Sequence, residues 1–170
     1  MTPREVVRQP VVLVGLVVLA AVVVWLLWPD PKREIKSVVE RVEEIVESRE
    51  IEDLRPILSE EFVSPETGDK QDTMDLLVSV FRDIITVEVK IKEMLIEMES
   101  DRATALVAFQ VSGTIRGGDI YNQVPFRGIS MAEPGTNPLE RVRVRLVKEN
   151  DTWRIVSVEL LAPLEEGETL

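Results

Sequence analysis

Arg141, Arg143 and Arg145 alternate along the segment LERVRVRLVKE, so in a β-strand they would share one face. A row of guanidinium groups at this spacing could bind an anion or an acidic partner, because arginine donates paired hydrogen bonds to carboxylate and phosphate oxygens. The simpler interpretation, which we favour, is a row of solvent-facing side chains paired with Glu159 and neighbouring carboxylates.

One carboxylate and one loop supply the other candidate site residues. Glu93 lies where the alternating pattern of a strand slips by one residue, and a β-bulge there could re-aim it as a general base. A solvated side chain is the simpler interpretation of Glu93. The segment RGGDIYNQVPFRG could cover a pocket and contact a ligand through Tyr121, Phe126 and Arg127, or it could be a flexible connector.

The composition excludes several classes of site. The 170 residues include no Cys and no His, which removes thiolate nucleophiles, disulfides, the imidazole base and the commonest transition-metal ligand. The glutamates near the end of the first predicted helix match no calcium-binding loop, and we interpret them as a solvated face: Glu43, Glu44, Glu47, Glu50 and Glu52. We therefore expect no metal and no cofactor. The formal net charge of −11 has the wrong sign for binding nucleic acid.

Residues 11–28, VVLVGLVVLAAVVVWLLW, carry no charged side chain and are long enough to cross a bilayer as a helix. Trp25 and Trp28 at the end of this run would lie at the membrane interface. Bulky residues and prolines follow the run instead of the small residues of a cleavage site. We therefore predict an uncleaved, single-pass anchor in preference to a cleaved signal or a buried helix.

The predicted anchor divides the chain into a short tail over residues 1–10, a transmembrane helix over 11–28, one folded domain over 31–162 and a disordered acidic tail over 163–170. Of the 20 basic and 31 acidic residues, 18 and 30 follow the apolar run. Because the only segment long enough to fold as a domain follows the apolar run, we expect a signal-anchor in the plasma (inner) membrane. The N-terminus would be cytoplasmic and the domain extracytoplasmic or periplasmic.

Apolar periodicity predicts three helices before a sheet. The first covers residues 31–48, and the second is a short helix in IEDLRPILSEEFV, where Pro56 limits its length. The third covers TMDLLVSVFRDI, and either Asp69 or Asp72 would cap it. The inward side chains of the third helix would be Met74, Leu77, Val78 and Phe81.

Period-two alternation then indicates two long strands in TVEVKIKEMLIEM and ATALVAFQVSGTI, and a hairpin turning at Asn150-Asp151. In the first strand, the slip after Lys92-Glu93 predicts a bulge. If Leu146 opposes Val156 in the hairpin, the further pairs are Val144 with Val158, Val142 with Leu160, Arg145 with Ser157 and Arg143 with Glu159. The outer face would then carry a mixed surface suited to an interface, with Trp153, Ile155, Val147 and Leu161 among the arginines.

This order of elements resembles the nuclear transport factor 2-like superfamily, which includes the SnoaL-like domains. The amphipathic first helix, the segment IEDLRPILSEEFV and the terminal NDTWRIVSVEL carry the resemblance. It implies an α+β cone in which a curved, mainly antiparallel sheet wraps around three helices and leaves a pocket at its open end. Members of the superfamily include isomerases, dehydratases, cyclases and many binding modules, so the fold by itself does not give the function.

Three functions remain open from the sequence. The first is a membrane-tethered, non-catalytic module that binds another protein or itself. The second is a binder of an apolar small molecule or lipid in the cone, and the third is a His-free isomerase or hydrolase that uses a carboxylate. A filled cone with a flat apolar outer face would favour the first. A ligand-sized cavity without a buried carboxylate would favour the second, and a buried carboxylate facing Tyr121 the third.

Overall fold

The computed structural model describes residues 30–117, 123–128, 138–164 and 169–170 of the chain. Residues Lys32–Leu170 form one structural unit. The predicted anchor over 11–28, with Trp25 and Trp28, and the loop residue Tyr121 lie outside the described ranges. Among the helices within those ranges, none is both long and apolar enough to span a bilayer.

Within the described residues, two α-helices and one short 3₁₀ turn precede the main sheet. Helix α1 covers Pro31–Ser48, as predicted, and buries Ile35, Val39 and Ile45. The predicted second helix is a single 3₁₀ turn over Ile51–Leu54. Helix α2 covers Lys70–Phe81, and its cap is Asp69, whose side chain accepts a hydrogen bond from the backbone N–H of Asp72 at 2.9 Å.

The strands that the structure describes form one antiparallel sheet of five and one small antiparallel pair. The small pair is β1 (Val63–Ser64) with β2 (Gly68–Asp69). The main sheet contains β3 (Ile84–Glu99), β4 (Arg102–Arg116), β5 (Gln123–Arg127), β6 (Leu139–Glu149) and β7 (Thr152–Leu164). Its order is β3-β4-β6-β7, and β5 pairs with the end of β4. The predicted α+β architecture with a curved antiparallel sheet is therefore confirmed. Strand β7 runs two residues into the predicted tail.

The register of the long strands shifts at four places, and the sequence pattern predicts only the one at Lys92. In β3, Ile91 opposes Phe109 and Glu93 opposes Ala108, which leaves Lys92 as the extra residue, as predicted. In β7, the pairs of Arg143 with Glu159, Arg145 with Ser157, Val144 with Val158 and Val142 with Leu160 are confirmed. The register then shifts, so that Leu146 opposes Ile155 and the predicted pairing of Leu146 with Val156 is wrong.

The bulge at Val156 in β7 turns Trp153 and Ile155 into the core. Each side chain is 4% exposed, so their predicted position on the outer face is wrong. The indole Nε1–H of Trp153 donates to a carboxylate oxygen of Glu34 at 3.0 Å. Ile155 exchanges backbone hydrogen bonds with the segment after the 3₁₀ turn, donating to Ile57 at 3.0 Å and accepting from Ser59 at 2.9 Å. These contacts with distant segments settle the phase of β7.

Gly113 in β4 marks a close approach between β4 and its two neighbouring strands, β3 and β5. A Cβ atom at this position would overlap the carbonyl oxygen of Thr86 and lie 2.7 Å from the ring of Phe126. We expect Gly113→Ala to lower the free energy of unfolding by about 2 kcal/mol, because overpacking forces backbone shifts. Urea denaturation would measure this loss. Ser112→Ala is the control, since its Cβ is already present, and an equal loss in both variants would contradict the steric explanation.

Candidate ligand-binding cavity

A cavity of about 420 Å³ lies between α1, α2 and the concave face of the sheet. This volume falls within the range of roughly 300–1,000 Å³ that is typical of small-molecule sites. Every described wall residue is apolar except Glu43. Val80 belongs to the wall and is 48% exposed, so the cavity reaches the protein surface beside α2.

Local sequence patterns account for the apolar wall. Val39, Val42 and Val46 recur at helical spacing on α1 and form one stripe. On β3, Val87, Val89 and Ile91 alternate toward the cavity, and on β4 the wall residues are Val107, Phe109 and Val111. The bulge at Lys92 bends β3 beside this wall. Helices and sheet together therefore enclose a space that their side chains do not fill.

Two glutamates of α1 hydrogen-bond to the backbone of β3, a role that the prediction of a solvated face did not include. Glu44, Glu47, Glu50 and Glu52 are exposed, as predicted, and Glu43 is half-buried. Glu47 accepts a hydrogen bond from the N–H of Val89 at 2.8 Å. Glu43 accepts one from the N–H of Ile91 at 3.3 Å. Among the described strands β3 pairs only with β4, and these side chains satisfy amides on its open edge. Glu43 is therefore bonded through its Oε1 atom to the open edge of β3.

Glu140 is a buried carboxylate that the sequence analysis missed. It is 0% exposed and opposes Phe109, at the start of β6. Its carboxylate packs near Gly128, where an added Cβ would come within 3.0 Å of Oε1. The described wall of the cavity does not include it. The alternation Leu146, Val144, Val142, Glu140 was the available signal, since it continues the inward face of β6 by one more step.

The three arginines of β6 have different surroundings. Arg143 forms an ion pair with Glu159 at 2.7 Å, and Arg141 donates from Nε to the carbonyl oxygen of Ala162 at 2.7 Å. Arg145 is exposed and lines a separate outer cleft of about 370 Å³ together with Glu97, Glu99 and other residues. The cross-strand pairing with Glu159 matches the simpler interpretation of this row. Binding of an anion or partner by these arginines stays a prediction.

The other predicted site residues are scattered. Phe126 lies on the cavity wall, whereas its neighbour Arg127 is exposed. Glu93 is not a described wall residue, and its Oε2 accepts a hydrogen bond from the backbone N–H of Leu170 at 3.0 Å. Trp153 is a core residue. In the part of the chain that the structure describes, no three carboxylates gather in a group that could hold a metal ion.

A small surface cleft beside α2 is charged. Arg55, Glu60, Asp69 and Lys70 are among its lining residues. Lys70 Nζ donates to Glu60 at 2.7 Å and to the carbonyl oxygen of Leu58 at 2.9 Å. The hydrogen bond from Lys70 and its positive charge lower the pKa of Glu60. Lys70 therefore links the first turn of α2 to Leu58 and Glu60.

No protein-family model and no curated protein sequence matches the chain. Solved structures do match it. The Kfla4162 protein from Kribbella flavida has a TM-score of 0.61 and 19% identity, with 80% of this chain and 93% of that chain covered. A nuclear transport factor 2-like protein from Salmonella enterica has a TM-score of 0.61 and 16% identity, with coverage of 80% and 93%.

A third similar structure is a proposed scytalone dehydratase from Novosphingobium aromaticivorans. Its TM-score is 0.60 at 12% identity, with 82% of this chain and 95% of that chain covered. At identities this low the likeness concerns the fold, which serves many unrelated activities. The described part of the chain therefore has the nuclear transport factor 2-like, or cystatin-like, cone fold.

Proposed function

We propose that the protein binds the hydrocarbon part of an apolar small molecule or lipid in the cavity, and that residues 11–28 tether it to a membrane. The observation that carries the binding role is the wall, whose described residues are apolar apart from Glu43. Burying hydrocarbon releases roughly 25 cal/mol per Å² of apolar surface. A polar group in the same place would lose its hydrogen bonds to water without replacement.

A binding role has better support than a catalytic one. Glu43 is the one titratable side chain on the described wall, and its carboxylate bonds to the backbone of β3. A general base would instead have to reach a substrate proton. The buried Glu140 lies beyond the described wall, and Tyr121 is not described.

The protein-contact hypothesis loses part of its basis. It relied on an outer face that included Trp153 and Ile155, and both of these residues are in the core. Contact with another protein or a second copy is therefore our second choice. The tether, and an extracytoplasmic domain at the inner membrane, are proposed from the apolar run alone.

Photolabelling of the full-length chain tests the binding role. The chain would be placed in phosphatidylcholine nanodiscs with a long-chain alcohol that bears a diazirine, irradiated and analysed by peptide mass spectrometry. We expect adducts within residues 107–111 and 142–144, which belong to the wall, as well as within 11–28. Adducts confined to 11–28 would support the tether and overturn the cavity as a binding site.

A further inference from the structure

The second half of α2 is more apolar than its burial requires. Residues 76–81 read LLVSVF, and none of them is buried. Leu76 is 46% exposed, Val78 36% and Val80 48%. The first half of the helix holds its buried residues, Thr73 and Met74. Leu76 and Val80 lie four residues apart and share one side of the helix, whereas Val78 lies on the other side. Large apolar side chains that share a surface in this way are typical of an interaction site.

This exposed face is continuous with the cavity. Val80 belongs both to the exposed face and to the cavity wall, and Leu77 and Phe81 line the wall from the same two turns. A hydrocarbon chain that leaves the cavity past Val80 therefore meets apolar side chains and not water. The exposed face therefore forms one side of the cavity mouth.

The chain outside the described residues indicates what covers this face. The apolar run ends at Trp28, and α1 begins at Pro31. Three residues span at most about 10 Å, so a bilayer that held the run would lie within that distance of the start of α1. Residues 76–81 carry no charge, while the chain as a whole has a net charge of −11. A neutral, apolar surface therefore suits this face better than an anionic one.

We propose that Leu76 and Val80 insert into the interface of a neutral lipid bilayer and hold the cavity mouth against it. The inference rests on the proposed function. Apolar faces of interfacial helices enter the boundary between headgroups and acyl chains. An apolar ligand would then pass between bilayer and cavity without crossing water.

Two leucines with nearly equal exposure allow a matched test. Leu76 is 46% exposed on α2, and Leu95 is 45% exposed on β3. Because the chain has no Cys, Leu76→Cys and Leu95→Cys each provide a single site for an environment-sensitive fluorophore. Each labelled full-length variant would be placed in phosphatidylcholine nanodiscs with and without lipids that carry a doxyl quencher.

We expect the label at position 76 to shift to the blue and to be quenched at least about twofold more than the label at 95, since an interfacial face enters the bilayer to a depth of about 5–10 Å and thereby meets the doxyl lipids. Equal quenching at both positions would overturn the proposal. So would a label at 76 that is shielded without quenching in a dimeric chain, because a second copy would then cover the face.

The diazirine experiment separates this proposal from the binding role. Adducts on the cavity wall together with an unquenched label at 76 would leave ligand binding in place and overturn the membrane contact. Quenching at 76 without wall adducts would support the membrane contact and overturn ligand binding. The two proposals therefore fail on different readouts.

Discussion

Replacing Val142 with tryptophan is expected to reduce diazirine labelling of residues 107–111 by about tenfold or more, which corresponds to about 1.4 kcal/mol of binding free energy. Val142 is half-buried and lies on the cavity wall. The larger indole can occupy the existing void, so the variant is expected to fold and to exclude the ligand. Peptide mass spectrometry of the full-length chain in phosphatidylcholine nanodiscs measures the effect.

Val147→Trp is the matched control for this variant. Val147 is also a half-buried valine of β6, but it lines the outer cleft on the opposite face of the sheet. Labelling of residues 107–111 is expected to stay at the level of the unmodified chain in Val147→Trp, and labelling of 11–28 to stay constant in both variants. Unchanged wall labelling in Val142→Trp would show that the probe does not occupy the cavity.

Short-range periodicity predicted most of the elements correctly. Alternation identified β3 and its bulge because the apolar residues on either side of Lys92 fall in opposite phases. The bulge at Val156 in β7 left no such signal in the sequence. Ile155 and Val156 are adjacent and both apolar, so either one satisfies the pattern. The phase is selected by the backbone N–H of Ile155, which donates to Ile57, and by its carbonyl oxygen, which accepts from Ser59, and both partners are distant in sequence.

The same limit applies to the cavity. Apolar residues at the right phase predicted a hydrophobic cone, but periodicity does not state whether side chains fill the space that they enclose. The acceptor roles of Glu43 and Glu47 depend on α1 lying along the open edge of β3, which is a tertiary relation. Glu140 was accessible to sequence reasoning, because it continues the inward alternation of β6.

The residues of α2 that are buried differ from those that periodicity predicts, and the difference concerns the side chains around the cavity. Met74 is buried, and Leu77 and Phe81 are half-buried on the cavity wall. The prediction that Val78 points inward is wrong, since this side chain is 36% exposed. The helix is apolar on several sides, and a periodic pattern assigns one inward face without identifying which apolar residues remain at the surface.

Truncation of Met74 is therefore expected to have the largest effect on stability. Met74 is 0% exposed and is one of two buried residues that anchor α2. We expect Met74→Ala to lower the free energy of unfolding by about 3 kcal/mol, since removal of a buried methionine side chain leaves a cavity. Urea denaturation of the detergent-solubilised full-length chain, followed by near-ultraviolet circular dichroism, measures the change.

Leu76→Ala is the control for Met74→Ala. It shows whether an apolar residue of α2 stabilises the fold when it is exposed. Leu76 lies two residues away on the same helix and is 46% exposed, so its truncation is expected to change the free energy of unfolding by less than about 0.5 kcal/mol. A comparable loss in both variants would show that residues 76–81 are packed against protein in the full chain. The exposed face would then not be available to a bilayer. A large loss confined to Met74→Ala would show that α2 is held at its first half, which leaves Leu76 available to a bilayer.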